Sequence, residues 1–128
     1  MAKKILQVVE TAYRATLEEQ DDTVIWIAHM MKGNGGDPTV LLRGNAVYYA
    51  VKRQDASGLS FGARKQTQPP RLADDVAKLI EKGVAVHTVD EDAAERGLEP
   101  GDLIPGLTSV SRAGLAKLFA QFDQVWHW

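Results

Sequence analysis

The residue types best suited to chemistry in this sequence stand where predicted strands end. They are Glu10, Tyr13, Arg43, Asn45 and Asp90. In an open α/β sheet, ligands and reactive groups gather at the carboxyl ends of the strands, so these side chains converge if their strands are neighbours. An arginine and an asparagine beside backbone N–H groups suit a small anion. The alternative is a network of arginine and acidic side chains that ties loops together.

Short apolar runs alternate with helical patterns along the chain and position these residues. Strands are predicted at residues 5–9, 39–42, 84–89, 107–110 and 124–128. Helices are predicted at about residues 22–32, 46–53, 72–81, 91–96 and 112–122. This alternation predicts an α/β fold, a three-layer sandwich around a mainly parallel sheet. The length of 128 residues fits a single domain, residues 1–128.

Two polar stretches interrupt the pattern. Residues 11–22 follow the first strand and contain Tyr13 and Arg14, so this segment is either a solvated loop or a loop of the site. Residues 54–70 form the longest irregular stretch and carry a small basic patch with Arg64 and Lys65. A solvated loop is the favoured interpretation of this second stretch.

Residues 83–97 are the segment around which the chain is organised. A β-branched run ends at Val89, an acidic triplet of Asp90, Glu91 and Asp92 follows, and helix-forming residues continue to a glycine. Three acids together suit a divalent cation. Acidic residues also suit the start of a helix, through capping and the helix dipole, and this structural interpretation is favoured. The three histidines show no metal-type spacing. No metal or cofactor is predicted.

Composition and charge narrow the class of protein. The net charge is −2, which argues against a nucleic-acid-binding or anionic-membrane surface. The sequence contains no cysteine, which excludes disulfides, thiolate metal sites and a cysteine nucleophile. We find no secretory signal and no apolar run of the roughly 18 residues that a membrane helix needs. We therefore expect a soluble, cytoplasmic protein.

Apolar residues on nearly every side of the helix near 23–31 suggest that the chain self-associates. Trp26, Met30 and Met31 are large residues of types that are enriched at protein interfaces. Trp126 and Trp128 add aromatic surface near the last strand. We expect a homo-oligomer; the alternative is a helix sandwiched in the core and a tail folded over the sheet.

Three segments resemble the DsrE/DsrF/DsrH sulfur-relay family, whose Tus counterparts act in tRNA thiolation. Residues 41–47 (LLRGNAV) are similar to its second-strand segment. Residues 83–92 (GVAVHTVDED) together with 95–98 (ERGL) are similar to its third-strand segment. Residues 123–128 (DQVWHW) are similar to the DsrH/TusB-like tail.

The resemblance implies a DsrE-like fold assembled as trimers or hexamers, with sulfur-relay proteins as partners. DsrE-type members carry a persulfide on a cysteine at the end of the third strand, where this sequence has Val89. A valine cannot carry sulfur, so the resemblance implies a non-catalytic protein that acts by assembly or by binding a ligand or partner. The alternative is an enzyme in which Glu10 or Asp90 is the acid–base group and Arg43 holds an anionic substrate.

Overall fold

Five parallel strands form the central sheet of the computed structural model, which describes residues 2–12, 22–54 and 59–128. The strands, in chain order, are β1 (Lys4–Val9), β2 (Asp37–Leu42), β3 (Ser60–Phe61), β4 (Arg64–Lys65), β5 (Val86–Val89), β6 (Thr108–Val110) and β7 (Gln124–His127). The sheet order is β6–β5–β2–β1–β7, while β3 and β4 form a separate hairpin. The predicted α/β class with a parallel sheet is confirmed.

Helices lie on both faces of the sheet. They are α1 (Thr23–Gly33), α2 (Leu72–Glu81), α3 (Asp90–Glu95) and α4 (Leu115–Phe119), with 3-10 helices at Gly44–Ala50, Pro100–Asp102 and Arg112–Gly114. None of the helices in the described parts of the chain is long and apolar enough to cross a membrane.

Two apolar cores hold the three layers together, because a parallel sheet buries both of its faces. One core joins α1, α2 and the 3-10 helix Gly44–Ala50 to the side of the sheet that carries Val9, Val40 and Leu42. The other joins α4 to the opposite side, where successive residues of the strands alternate into it. Its members are Leu6, Val8, Leu41, Val89, Leu115 and Leu118, with Val110, Phe119 and Phe122 partly buried against it.

Two predicted helices differ in the structure. Residues 46–53 were expected to be one α-helix, but the chain forms the 3-10 helix Gly44–Ala50 and then leaves it. It leaves because Val51 pairs with Leu103 in an antiparallel bridge, and the Ile104 N–H donates to the Ala50 carbonyl at 2.8 Å. The predicted helix 112–122 is divided into a 3-10 turn and the short α4.

A buried carboxylate begins α1 and ties it to the 3-10 helix. Asp22 is fully buried, and its Oδ1 accepts the Val24 N–H at 2.8 Å, as an N-cap should. Its Oδ2 accepts the Tyr49 hydroxyl at 2.6 Å. One side chain therefore satisfies both a helix end and a buried phenol, which fixes the position of α1 over the sheet.

We predict that removing either partner of this bond destabilises the protein, and that the two losses overlap. Tyr49→Phe and Asp22→Ala should each lower the free energy of unfolding by about 1–3 kcal/mol, since each removes a hydrogen bond from a buried polar group. Urea denaturation of both single variants and the double variant measures this. The double variant should lose less than the sum of the two single losses, and additive losses would contradict a shared bond.

Candidate functional site

Glu10 and Arg43 lie side by side at the carboxyl edge of the sheet. β1 and β2 are parallel neighbours with Val9 opposite Leu42, so the next residue of each strand leaves the sheet at the same level. Arg43 Nε is 3.1 Å from Glu10 Oε1. His127 Nε2, on β7, is 3.0 Å from the same oxygen. Three elements thus supply one cluster, which we call the Glu10 cluster (Glu10, Arg43 and His127).

The Glu10 cluster remains open to solvent. The exposed fractions of the Arg43 and Glu10 side chains are 31% and 41%. An ion pair this exposed contributes about 1 kcal/mol or less to stability. Among the described residues, no hydrogen bond or ion pair involves the Arg43 Nη groups. The cluster can therefore tie two loops together and still present a guanidinium edge to a ligand.

The second polar centre is built on Asp92, which sequence reasoning did not single out from its acidic neighbours. Asp92 Oδ2 accepts the Gly44 N–H at 2.7 Å, and Oδ1 accepts a hydrogen bond from Arg112 Nη2. Arg112 also binds Glu95 at 3.0 Å. This buried carboxylate joins the segments that follow β2, β5 and β6.

The acidic triplet has a structural role that differs from capping. The residue that caps α3 is Val89, which makes no side-chain capping bond. Glu91 instead accepts the backbone N–H of Arg112 through both carboxylate oxygens, at 2.9 and 2.8 Å. Asp90 is exposed, and no hydrogen bond or ion pair joins it to Glu10 or Arg43 within the described residues. Glu91 and Asp92 therefore bind the segments that follow β6 and β2, and neither caps its own helix.

The surroundings of Asp92 shift its ionisation. Burial raises the pKa of Asp92, but the Gly44 N–H and the charge and hydrogen bonds of Arg112 outweigh it, so the net pKa lies below the ordinary value of 3.8. Hydrogen bonds to Asp92 and Glu95 raise the pKa of Arg112 above its ordinary value. On β5, burial lowers the pKa of His87, which keeps that imidazole neutral near pH 7.

Of the remaining predicted site residues, those that the structure describes do not join the Glu10 cluster. Asn45 does not pair with Arg43, because its Oδ1 accepts Arg96 Nε at 3.1 Å and Arg96 Nη2 at 2.9 Å. Val89 is fully buried in the core beneath α4. Tyr13 and Arg14 lie outside the described residues. The predicted convergence of side chains is thus seen for Glu10 and Arg43.

Three residues of these clusters were missed in the sequence: His127, Asp92 and Arg112. Arg112 comes two residues after β6, and His127 ends β7, so both satisfy the strand-end rule that selected Glu10 and Arg43. The signal was therefore present for both. The same rule does not distinguish Asp92, because Asp90 and Glu91 follow the same strand and carry the same charge.

We predict that Asp92→Asn lowers the free energy of unfolding at pH 7 by about 1–3 kcal/mol, because a charged hydrogen-bond acceptor is lost in a nearly buried site. The pKa of Asp92 is lower in the folded than in the unfolded chain, so its contribution is complete above pH 3.8. This contribution is lost as the pH falls from 3.8 through the pKa of Asp92 in the folded chain. The free energies of unfolding of the wild type and Asp92→Asn should therefore converge in that pH range.

Asp90→Asn is the matched control, since it removes the same charge from the same helix at an exposed position. Thermal or urea unfolding between pH 2 and 7 is the measurement. Equal destabilisation by the two substitutions would contradict the central role of Asp92.

The fold of this chain is similar to that of known structures. No family model and no curated protein matches the chain. The ychN protein from E. coli is similar with a TM-score of 0.73 and 17% identity, covering 100% of both chains. The chain has a DsrE-like fold.

Two further structures are similar along almost the whole chain. The protein of unknown function BT1422 from Bacteroides thetaiotaomicron has a TM-score of 0.69 and 11% identity, with 98% of this chain and 95% of that one covered. The protein of unknown function MTH1491 from Methanobacterium thermoautotrophicum has a TM-score of 0.65 and 12% identity, with 95% and 96% covered. At these identities the comparisons show the fold alone.

Proposed function

We propose that this protein is a non-catalytic, cytoplasmic DsrE-like protein that acts by homo-oligomeric assembly or by binding a small ligand or a partner. The assembly is a trimer or hexamer, and the partners are sulfur-relay proteins. The observation that carries the proposal is an exposed aromatic surface on the side of the sheet that α1 covers. A cysteine-free sequence supports the non-catalytic part, because no thiol is present to carry sulfur.

The exposed surface, which we call the aromatic face (Trp26, Met30, Trp126 and Trp128), begins on α1. Trp26 and Met30 are one helical turn apart, and their exposed fractions are 51% and 46%. The buried residues Val24, Ile25 and Ala28 hold the opposite side of the helix to the sheet. Large apolar side chains therefore point to solvent.

β7 continues the aromatic face on the same side of the sheet. Trp126 pairs with Gln7 of β1, and the Gln7 amide donates to Met31 Sδ of α1 at 3.1 Å. Trp128 Nε1 donates to Gln7 Oε1 at 3.2 Å. Both indoles therefore flank α1, yet their exposed fractions are 37% and 38%. Since these side chains are already partly buried, contact with a second copy would contribute, for each of them, only part of the roughly 1.5–3 kcal/mol that complete burial gives.

We predict that light scattering at micromolar concentration gives the mass of a trimer or hexamer of the 14.0 kDa chain. Trp26→Glu and Trp126→Glu should shift the mass towards the monomer, because each places a charge in the buried contact. Phe61→Glu, on the separate hairpin and 62% exposed, is the matched control and should leave the mass unchanged. A monomer at every concentration would refute the assembly.

A second prediction concerns the position equivalent to the sulfur-carrying cysteine. Val89 is fully buried whereas Asp90 is exposed, so the two neighbouring positions differ in access to solvent. Wild-type protein incubated with a persulfide donor should gain no stable sulfur. Asp90→Cys should gain sulfur or an alkyl label quickly, and Val89→Cys should react much more slowly. Intact mass spectrometry measures all three.

Two results would count against this proposal. A stable sulfur adduct on the wild-type chain would refute the non-catalytic assignment. Fast labelling of Val89→Cys, at the rate of Asp90→Cys, would mean that the end of β5 opens to solvent.

One observation favours a second function, an enzyme that acts on a small anionic substrate. A carboxylate next to an imidazole is an arrangement used for proton transfer, and Glu10 Oε1 lies 3.0 Å from His127 Nε2. In this function Glu10 is the acid–base group and Arg43 binds the substrate anion. Glu10→Gln would then abolish turnover of a substrate while leaving its binding at Arg43 largely intact.

A further inference from the structure

A surface cavity shares no lining residue with the Glu10 cluster or the aromatic face. Its volume is about 450 Å³, and its lining residues are Val51, Lys52, Arg53, Leu98, Gly101 and Asp102. This volume is within the range of about 300–1,000 Å³ that small-molecule sites occupy. The cavity lies where the chain leaves the 3-10 helix Gly44–Ala50 and passes the 3-10 helix Pro100–Asp102.

Hydrogen bonds brace the walls of this cavity. The Lys52 N–H donates to the Asp102 carbonyl at 2.9 Å, beside the bridge between Val51 and Leu103. The Gln54 side-chain amide donates to the carbonyl of Tyr48 at 2.8 Å. The backbone positions of both walls are thereby fixed, so a ligand meets a cavity that is already formed.

The charges that line the cavity favour an anion. Lys52 and Arg53 contribute two positive charges, and neither has an ion-pair partner among the described residues. Asp102 contributes one negative charge, but its Oδ2 already accepts the N–H of Glu99 at 2.8 Å. A dianionic group can therefore use both cations, with the arginine offering two parallel N–H donors.

The other lining residues leave room for an apolar group. Val51 and Leu98 are partly buried aliphatic side chains. No atom lies within 4 Å of where a Cβ of Gly101 would be, so the backbone there is open to close approach. We propose that this cavity binds a small phosphate monoester whose apolar or aromatic body rests on Val51 and Leu98.

The test is a titration of ¹⁵N-labelled wild-type protein with phenyl phosphate, at constant ionic strength and pH 7.5, followed by amide chemical shifts. Saturable shifts centred on Leu98, Gly101 and Asp102 are expected. Inorganic phosphate and benzoate should bind at least about tenfold more weakly, and phenol should give no saturable shift, since each lacks part of the matching chemistry.

Two variants probe the charge and the space separately. Arg53→Ala should weaken the binding of phenyl phosphate about tenfold or more, because a charged hydrogen-bond donor is lost. Lys117→Ala on α4 is the matched control and should leave this binding unchanged. Gly101→Leu adds a bulky side chain to the lining of the cavity at a position where a Cβ meets no atom within 4 Å and φ is not positive. It should abolish binding.

Three results would overturn the proposal. They are the absence of saturable shifts with phenyl phosphate, equal binding of phenol, and equal weakening by Lys117→Ala and Arg53→Ala. All lining residues of the cavity come from one chain, so the site stands or falls independently of the proposed assembly.

Discussion

A parallel sheet must be covered on both faces, and the rest of this structure follows from how that requirement is met. β1 and β2 lie between α1 on one side and the α4 core on the other, and their central residues are fully buried. β7, at the edge, is covered less completely. Trp126 in β7 and Trp128 just after it extend the α1 layer but remain more than a third exposed. The incomplete coverage of β7 therefore explains why apolar side chains are exposed on this surface.

Asp92 joins loops at the carboxyl edge of the sheet. The loops after β2, β5 and β6 leave the sheet at similar levels, and backbone N–H groups there lack strand partners. Asp92 satisfies Gly44, while Glu91 satisfies the N–H of Arg112. The acids are thus used to pair with backbone donors. The Glu10 cluster, by contrast, is partly exposed to solvent, so its ion pairs contribute little to the stability of the fold.

The sequence predicted the five strands of the sheet and the helices α1 and α2, because apolar periodicity reports burial directly. The adjacency of Glu10 and Arg43 was also predictable, since it needs only two neighbouring parallel strands. The importance of Asp92 over Asp90 was not, because it depends on which side of a six-residue helix meets the loop after β2. The interior position of Val89 depends on strand register, where a shift of one residue exchanges the two faces.

The pairing of β1 with β7 has a consequence for how the chain folds. Lys4 and Asp123 exchange hydrogen bonds across 119 residues of sequence. During synthesis on the ribosome, one edge of β1 therefore stays unpaired until β7 has been made. Contacts of such high sequence separation form late and lower the folding rate, because the long chain segment between the two residues must close into a loop first. A nascent chain with an apolar, unpaired β1 is open to incorrect strand pairing during that interval, and β7 is the element that ends it.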